Sequence, residues 1–212
     1  MTTVLLTGFE PFAGDATNPS GDAVRAVAER WTGPETLVTE VLPVTFAGAA
    51  ARLRVLIDEH SPDVVIAAGL AGNRAQVTPE RVAINLADAR IPDNAGEQPL
   101  DAPSVPGSPA AYFATLPVKA IAAAIAGAGI PASVSHSAGT FVCNHVMFTA
   151  LDAVAAQQDV RAGFVHVPWA AETAPAGAPA LPLADIVRSL EVAVRTSLDT
   201  RGDARITGGA LD

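Results

Sequence analysis

Short apolar runs bounded by turn residues alternate along the chain with longer stretches in which apolar positions recur at helical spacing. This alternation is typical of one α/β domain built around a predominantly parallel sheet. The ligand site of such a sheet lies at the carboxyl ends of its strands. The predicted strands are Val4–Thr7, Leu37–Leu42, Asp63–Ala68, Arg81–Leu86, Ala132–Ser135 and Gly163–Val167.

The helical stretches fall between and after these runs. Ser20 is a candidate cap for a first helix, whose apolar face continues through Val24, Val27 and Trp31. Pro117 suits a first helical position, because its missing N–H is not needed there. The remaining predicted helices are Ala47–Glu59, Pro117–Ala128, Cys143–Ala156 and Leu183–Leu198.

Two polar, proline- and glycine-rich stretches are predicted to be loops. Ala87–Pro109 is long for a connection within a compact domain, and such loops usually serve a function or move. Glu172–Pro182 has the composition of a surface loop. Neither stretch separates two self-sufficient cores, so we predict a single domain over residues 1–212.

Composition narrows the classes of partner. The 212 residues carry 13 Lys and Arg against 22 Asp and Glu, a formal charge of −9, and mean hydropathy is +0.32. Because nucleic-acid binding needs clustered positive charge, we expect no nucleic-acid partner. The most apolar stretch, Ala120–Ile130, stops at Pro131, short of a membrane span. The N-terminal residues show no targeting pattern, so we expect a soluble cytoplasmic protein without a membrane partner.

The single cysteine, Cys143, is the most informative residue. It opens an apolar helical run after a predicted strand, and a helix N-terminus favours thiolate over thiol. A lone cysteine at such a junction is also often an inert core residue, since free cysteines are among the most buried residues. The two interpretations weigh about evenly on pattern alone.

A nucleophilic thiol needs a base, usually a histidine. His60 lies at a helix end, His136 follows a strand, and His145 is two positions beyond Cys143, where helical side chains point apart. His166 ends the strand that follows the Cys143 helix. A β-α-β unit would return that strand beside the one preceding Cys143, so His166 is the best candidate base.

An orienting carboxylate is harder to choose from pattern. Glu80 stands just before an apolar run, but it could equally be a surface charge paired with Arg81.

Taken together, these residues and the motifs around them resemble the pyroglutamyl peptidase I family, also called pyrrolidone-carboxylate peptidases. These are cysteine peptidases that remove N-terminal pyroglutamate. The resemblance runs nearly end to end. The motifs that carry it are Thr7–Phe12, Asn18–Ser20, Glu80–Asn85, Asp88–Asn94, Pro109–Phe113, Ala138–His145, Gly163–Pro168 and Gly208–Leu211.

The resemblance implies a Cys-His-Glu triad and a thioester intermediate, with Cys143 as nucleophile, His166 as base and acid, and Glu80 as the orienting carboxylate. Arg90 matches the family arginine at the active site, where it and the Cys143 backbone N–H would stabilise the oxyanion; alone it would pass for a solvated loop charge. The substrate-binding residues implied by the family are Phe9, Phe12, Ile91, Phe141 and Val142, which would otherwise pass for ordinary core or loop anchors.

The family also implies a single-domain, three-layer α/β/α fold with a twisted, mostly parallel, mixed sheet, a homotetramer, and neither metal nor organic cofactor. The chain departs from the family pattern at Leu70, Asn73, His136 and Trp169–Thr173. These departures concern loop conformation, substrate preference and the subunit interface.

Two other functions stay open at this stage. One is an amidase that opens small lactams or amides with the same thiol. The other is a binding protein that keeps the pyroglutamyl pocket, or a redox sensor that uses Cys143. The presence of both Glu80 and His166 argues against a binder or a sensor, because neither needs a triad.

Overall fold

A computed structural model describes residues 1–209; the end of the C-terminal motif, Ala210 and Leu211, lies outside the described residues. Its strands are β1 (Thr3–Phe9), β2 (Thr36–Leu42), β3 (Val64–Leu70), β4 (Thr78–Pro79), β5 (Val82–Ile84), β6 (Ala111–Phe113), β7 (Arg161–Val167), β8 (Trp169–Ala170) and β9 (Ala180–Leu181). Its helices are α1 (Pro19–Arg30), α2 (Phe46–His60), α3 (Val118–Gly127), α4 (Val142–Ala153) and α5 (Leu183–Asp199).

The central sheet has five strands in the order β2-β1-β3-β7-β4. All neighbours are parallel except β4, which runs antiparallel to β7. The middle strands are almost completely buried, as expected of strands covered on both faces. The predicted mostly parallel, mixed sheet is therefore confirmed.

Helices cover both faces of this sheet. On one face α2 and α4 pack together over a core that includes Leu53, Val146 and Phe148. On the other, α1, α3 and α5 enclose a core that includes Ile121 and Leu190. Both cores are continuous with the strands, which gives the three-layer α/β/α arrangement. No helix within residues 1–209 is long and apolar enough to cross a membrane.

The predicted strand Arg81–Leu86 is mostly wrong. Only Val82–Ile84 is extended, and it pairs with β6 in a separate two-stranded sheet. The contact with the central sheet is made instead by β4, the two residues Thr78 and Pro79. Such a short strand carries no periodic pattern that a sequence could reveal.

The predicted strand Ala132–Ser135 forms only isolated bridges, from Ala132 to Val77 and from Ser135 to Glu80. It therefore lies beside the β4 segment and not beside β7, contrary to the β-α-β argument for His166. The inserted β4 occupies the position next to β7.

The cap of α1 is Asn18 rather than Ser20. The Asn18 carboxamide oxygen accepts from the Ser20 backbone N–H at 3.1 Å, and Pro19 occupies the first turn. Ser20 is buried, and its hydroxyl oxygen accepts from the Phe9 N–H at 3.1 Å. This contact joins the end of β1 to the start of α1.

The long loop between β5 and β6 is attached to the body of the protein at several points. The buried Asp93 carboxylate accepts from the backbone N–H of Phe46, at the start of α2, at 2.8 Å. The same carboxylate accepts from the N–H groups of Ala95 and Glu97 within the loop. Thr140, just before α4, bonds the backbone of Asp88.

Candidate active site

Cys143 is the second residue of α4, so it lies near a helix N-terminus as the sequence predicts, although the helix begins one residue earlier, at Val142. The helix begins after Phe141, whose extended backbone turns the chain in from the Ala138–Thr140 loop. The first backbone N–H groups of a helix have no intrahelical partner and point toward its start. The thiol therefore sits where a developing negative charge would meet free N–H donors, and the residue is half-buried.

Gly69 brings the thiol close to the sheet. A Cβ at this position would lie 2.9 Å from Cys143 Sγ and 2.7 Å from Phe164 Cζ, so only glycine leaves room for both. Gly69 is directly opposite His166 in the β3–β7 ladder. The absence of a side chain on β3 thus lets Cys143 approach the strand position next to His166.

His166 is buried near the end of β7, and its Nδ1 lies 2.7 Å from Glu80 Oε1. An ionised carboxylate can only accept, so Nδ1 carries the proton and Nε2 is left free of Glu80. The imidazole packs at 4.8 Å, centroid to centroid, against Phe164. Among the described residues no hydrogen bond joins Cys143 Sγ to His166.

Glu80 is completely buried immediately after β4, and its backbone N–H donates to Phe164 O at 2.8 Å. Burial raises the pKa of Glu80, but the hydrogen bond and charge of His166, assisted by Ser135 and Arg74, outweigh it and lower the pKa overall. Glu80 is therefore ionised at neutral pH. The alternative in which Glu80 is a surface charge paired with Arg81 is wrong.

Arg74 is a residue of the site that the sequence argument did not single out. Its Nη1 donates to Glu80 Oε1 at 2.6 Å and to Thr78 Oγ1 at 2.6 Å. It comes from the loop after β3, and its side chain is 27% exposed. Sequence offered no signal beyond its nearness to Glu80, because an arginine in a glycine-containing loop usually points to solvent.

The pKa of the Cys143 thiol is higher than the sequence analysis predicts. Burial, with the Glu80 charge as a second cause, raises the pKa of Cys143 to about 12, against smaller lowering effects from Arg74 and the Cys143 backbone N–H. The expected lowering by the helix N-terminus is thus outweighed. The thiol is protonated at neutral pH, and any nucleophilic role requires a base during attack.

An apolar cavity of about 170 Å³ opens beside Cys143, and its lining includes Phe9, Phe12, Phe141 and Val142. The Phe12 and Phe141 rings lie 5.2 Å apart, centroid to centroid. These four predicted substrate residues all line it. The lining residues that the sequence argument did not include are Asp15, Thr17, Asn18, Val44 and Leu70.

Arg90 and Ile91 are not among the residues that line this cavity. Arg90 is exposed, and Ile91 is half-buried, both in the loop after β5. No ion pair of Arg90 occurs within residues 1–209. Their assignment to the oxyanion and the substrate stays a prediction.

The other histidines lie apart from the Glu80 pair. His60 is the exposed last residue of α2. His136 is exposed, with Nε2 at 3.0 Å from Gly208 O. His145 is buried in α4 against Phe46. In the part of the chain that the structure describes, no three His, Cys, Asp or Glu side chains are grouped so that they could hold a metal ion.

Comparisons with known proteins agree on one family. The family model described as pyroglutamyl peptidase matches residues 2–200. A pyrrolidone-carboxylate peptidase of Escherichia fergusonii is 49% identical over 212 residues, covering 99% of both chains. A protein of the same name from Cupriavidus necator is 50% identical over 215 residues, covering 100% of both.

Solved structures give the same result. The crystal structure of pyroglutamyl peptidase I from Bacillus amyloliquefaciens has a TM-score of 0.93 and 44% identity, covering 97% of this chain and 99% of that one. Pyrrolidone carboxyl peptidase from Thermococcus litoralis has a TM-score of 0.92 and 39% identity, covering 98% of this chain and 100% of that one.

Proposed function

The chain belongs to the pyroglutamyl peptidase family and is an enzyme of that class, and on that premise we propose that it hydrolyses the bond after an N-terminal pyroglutamyl residue of peptides. The single observation that carries this proposal is the position of its only thiol. Cys143 lies at a helix N-terminus, beside an apolar, aromatic-walled cavity and across Gly69 from the His166–Glu80 pair.

The chemistry requires the thiol proton to move during attack. As Cys143 Sγ bonds to the carbonyl carbon of pyroglutamate, the thiol proton passes to His166 Nε2, and Glu80 stabilises the imidazolium through Nδ1. His166 then gives this proton to the departing amine, and the C–N bond breaks to leave a thioester. Water, deprotonated by His166, attacks the thioester; pyroglutamate leaves and Sγ recovers its proton.

The cavity suits an uncharged ring. A pyroglutamyl residue has a lactam in place of a charged α-amine, so it can enter an apolar, aromatic-walled space at little cost. A free N-terminal ammonium would lose its hydration there; the cavity wall does include one acidic residue, Asp15, but it is exposed. The Phe9 and Phe12 rings would hold the flat ring, with Ile91, Phe141 and Val142 lining the rest of the space. We keep Arg90 and the Cys143 N–H as the proposed oxyanion donors, with Arg90 reaching the site from the loop after β5.

The proposal extends to the domain organisation, the oligomeric state, the cofactors and the compartment of the protein. We take residues 1–212 as one catalytic domain that assembles into a homotetramer and needs no metal or organic cofactor. The chain has no second thiol to resolve oxidation of Cys143, so the compartment has to keep this residue reduced, and we propose the cytoplasm.

The test is hydrolysis of a chromogenic pyroglutamyl amide. We expect Cys143→Ala to lose at least about 10³-fold in kcat/KM while its circular dichroism and unfolding midpoint stay near those of the parent chain. A prolyl amide with the same leaving group, which has a protonatable amine in a similar ring, is the matched substrate control and should be a poor substrate. Unchanged turnover by Cys143→Ala would refute the proposal.

A further inference from the structure

The loop after β3 places Arg74 against the carboxylate that holds His166. Arg74 Nη1 and His166 Nδ1 both donate to the same oxygen, Glu80 Oε1, at 2.6 and 2.7 Å. The other oxygen, Glu80 Oε2, is buried and has no hydrogen-bond partner among the described residues. Arg74 and His166 therefore share a single oxygen of the carboxylate.

From this geometry we propose that Arg74 is a positioning residue of the reaction, which fixes the Glu80 carboxylate and balances its charge so that His166 stays free to accept the thiol proton. The inference rests on the proposed function for its kinetic consequence. Arg74 itself does not need to touch the substrate.

The guanidinium is held at three points. Besides Glu80, it donates to Thr78 Oγ1 at 2.6 Å and to the carbonyl oxygen of Ser137 at 3.2 Å. Thr78 is directly opposite His166 in the β4–β7 ladder, and Ser137 begins the segment that leads to Cys143. Arg74 thus joins the segment that carries Glu80 to the one that leads to Cys143, and it is linked to His166 through Glu80 and Thr78.

The charge balance gives this contact its chemical meaning. A completely buried carboxylate needs a positive partner. If His166 were the only one available, Glu80 would favour the imidazolium, which cannot act as a base. Arg74 supplies the positive charge permanently, because a guanidinium does not lose its proton in proteins. The Glu80 charge is then balanced without a second proton on the His166 ring.

The titratable groups of this cluster are few. Glu80, His166 and Cys143 lie around Arg74, and Glu80 is the one carboxylate it contacts within residues 1–209. Arg81 follows Glu80 but forms none of the described ion pairs, and His136 lies toward Gly208. Removing the Arg74 charge should therefore shift the protonation of all three groups toward higher pH.

The kinetic test compares Arg74→Met with Arg74→Lys over a pH series of kcat/KM on a pyroglutamyl amide. We expect the acid limb of the profile to move up by about one pH unit in Arg74→Met, so that the loss in kcat/KM grows as pH falls and reaches about tenfold on the acid side of the limb. Arg74→Lys keeps the charge, so its acid limb should stay in place while the rate falls a few-fold. Arg52→Met, which removes an arginine ion-paired to Glu40 away from the site, is the control.

A purely structural role for Arg74 would lower the rates of both variants and leave the acid limb where it is, and that result would overturn the inference. If Arg74→Met does not fold, Arg74→Gln takes its place. Glutamine keeps a donor for Glu80 but has no charge, so the same shift of the acid limb is expected.

A second measurement does not depend on peptidase activity. Because Cys143 is the only cysteine, iodoacetamide labelling of the whole protein reports on this thiol alone. At a fixed pH of about 9, we expect labelling of Arg74→Met to be several-fold slower than that of the parent chain, and that of Arg74→Lys to be unchanged. Equal rates in all three proteins would overturn the inference. Absence of any pyroglutamyl hydrolysis by the parent chain would instead refute the proposed function.

Discussion

Cys143 carries its proton at rest, and this determines how the site has to work. Burial and the Glu80 charge raise the pKa of the thiol, and the helix N-terminus does not compensate. In the proposed reaction, proton transfer to His166 therefore accompanies attack, and the groups that keep His166 able to accept a proton become important for rate.

The pH dependence of alkylation tests this resting state. Because the pKa of Cys143 is about 12, its thiolate fraction should rise about tenfold per pH unit, with no plateau below about pH 11. At about pH 8 the protein should react more slowly with iodoacetamide than a free cysteine peptide does. The measurement is the second-order labelling rate followed by mass spectrometry. A plateau in the neutral range would show a preformed thiolate and contradict the prediction.

At the scale of single residues, the sequence predicts candidate site residues well where a residue type is rare in the chain, and it does not predict Arg74. The single cysteine and the four histidines form a short set of candidates for nucleophile and base, and the motifs around Cys143 and His166 select these two residues from that set. Arg74 is one of many scattered cations. Its role depends on a loop turning back onto β4, which is a tertiary contact with no periodic signature.

At the scale of elements, the site exists because two neighbouring strands end, and a helix begins, at one edge of the sheet. Phe9 ends β1, Leu70 ends β3, and α4 starts beside them with Val142 and Cys143. The alternation of apolar runs and helical stretches was enough to predict this edge. It was not enough to predict β4, whose two residues are recognised only through pairing with β7.

Gly69 is the element-scale position most sensitive to change. In Gly69→Ala the added methyl would meet Phe164 Cζ and Cys143 Sγ inside van der Waals distance, so strand and helix must separate. We expect the free energy of unfolding to fall by about 1–3 kcal/mol, as for other overpacked cores. The value of kcat/KM should fall by a larger fraction than the free energy of unfolding does. Urea unfolding and hydrolysis of a pyroglutamyl amide measure the two effects.

Gly127→Ala is the matched control for that substitution. Gly127 is the last residue of α3, and a Cβ there would meet nothing within 4 Å. Since alanine is the better helix former, this variant should be as stable as the parent chain or slightly more so, with full activity. If Gly69→Ala were as stable and as active as Gly127→Ala, close packing of the Cys143 thiol against β3 would contribute to neither stability nor activity.

For the whole molecule, the two cores explain why fold class was predictable while details of pairing were not. Both cores consist of the apolar runs and helix faces that the pattern reveals, and they contain most of the buried apolar residues. Isolated bridges such as Glu80 to Ser135 add little buried apolar surface. Hydrophobic patterning cannot report on contacts that are mainly backbone hydrogen bonds.

One buried group outside the site should affect the stability of the whole molecule in mildly acidic solution. His145 is enclosed in α4, with its ring 5.4 Å from that of Phe46, centroid to centroid, and its Nδ1 has no hydrogen-bond partner among the described residues. Burial, together with the charge of Arg54, lowers the pKa of His145 below its ordinary value of 6.5, although the Phe46 backbone opposes this. The folded protein therefore binds this proton less readily than the unfolded chain does.

The sign of the effect follows from that difference. When the unfolded state binds more protons, stability rises with pH, so the free energy of unfolding should fall as pH drops from about 7 to 5. Glu80 and Asp152, whose pKa values are also lowered, act in the same sense but only below their ordinary values of 4.5 and 3.8. Urea unfolding at several pH values should show a smaller fall in His145→Gln than in the parent chain. His60→Gln, at an exposed position, should behave like the parent chain; an equal fall in all three proteins would assign the acid sensitivity to other groups.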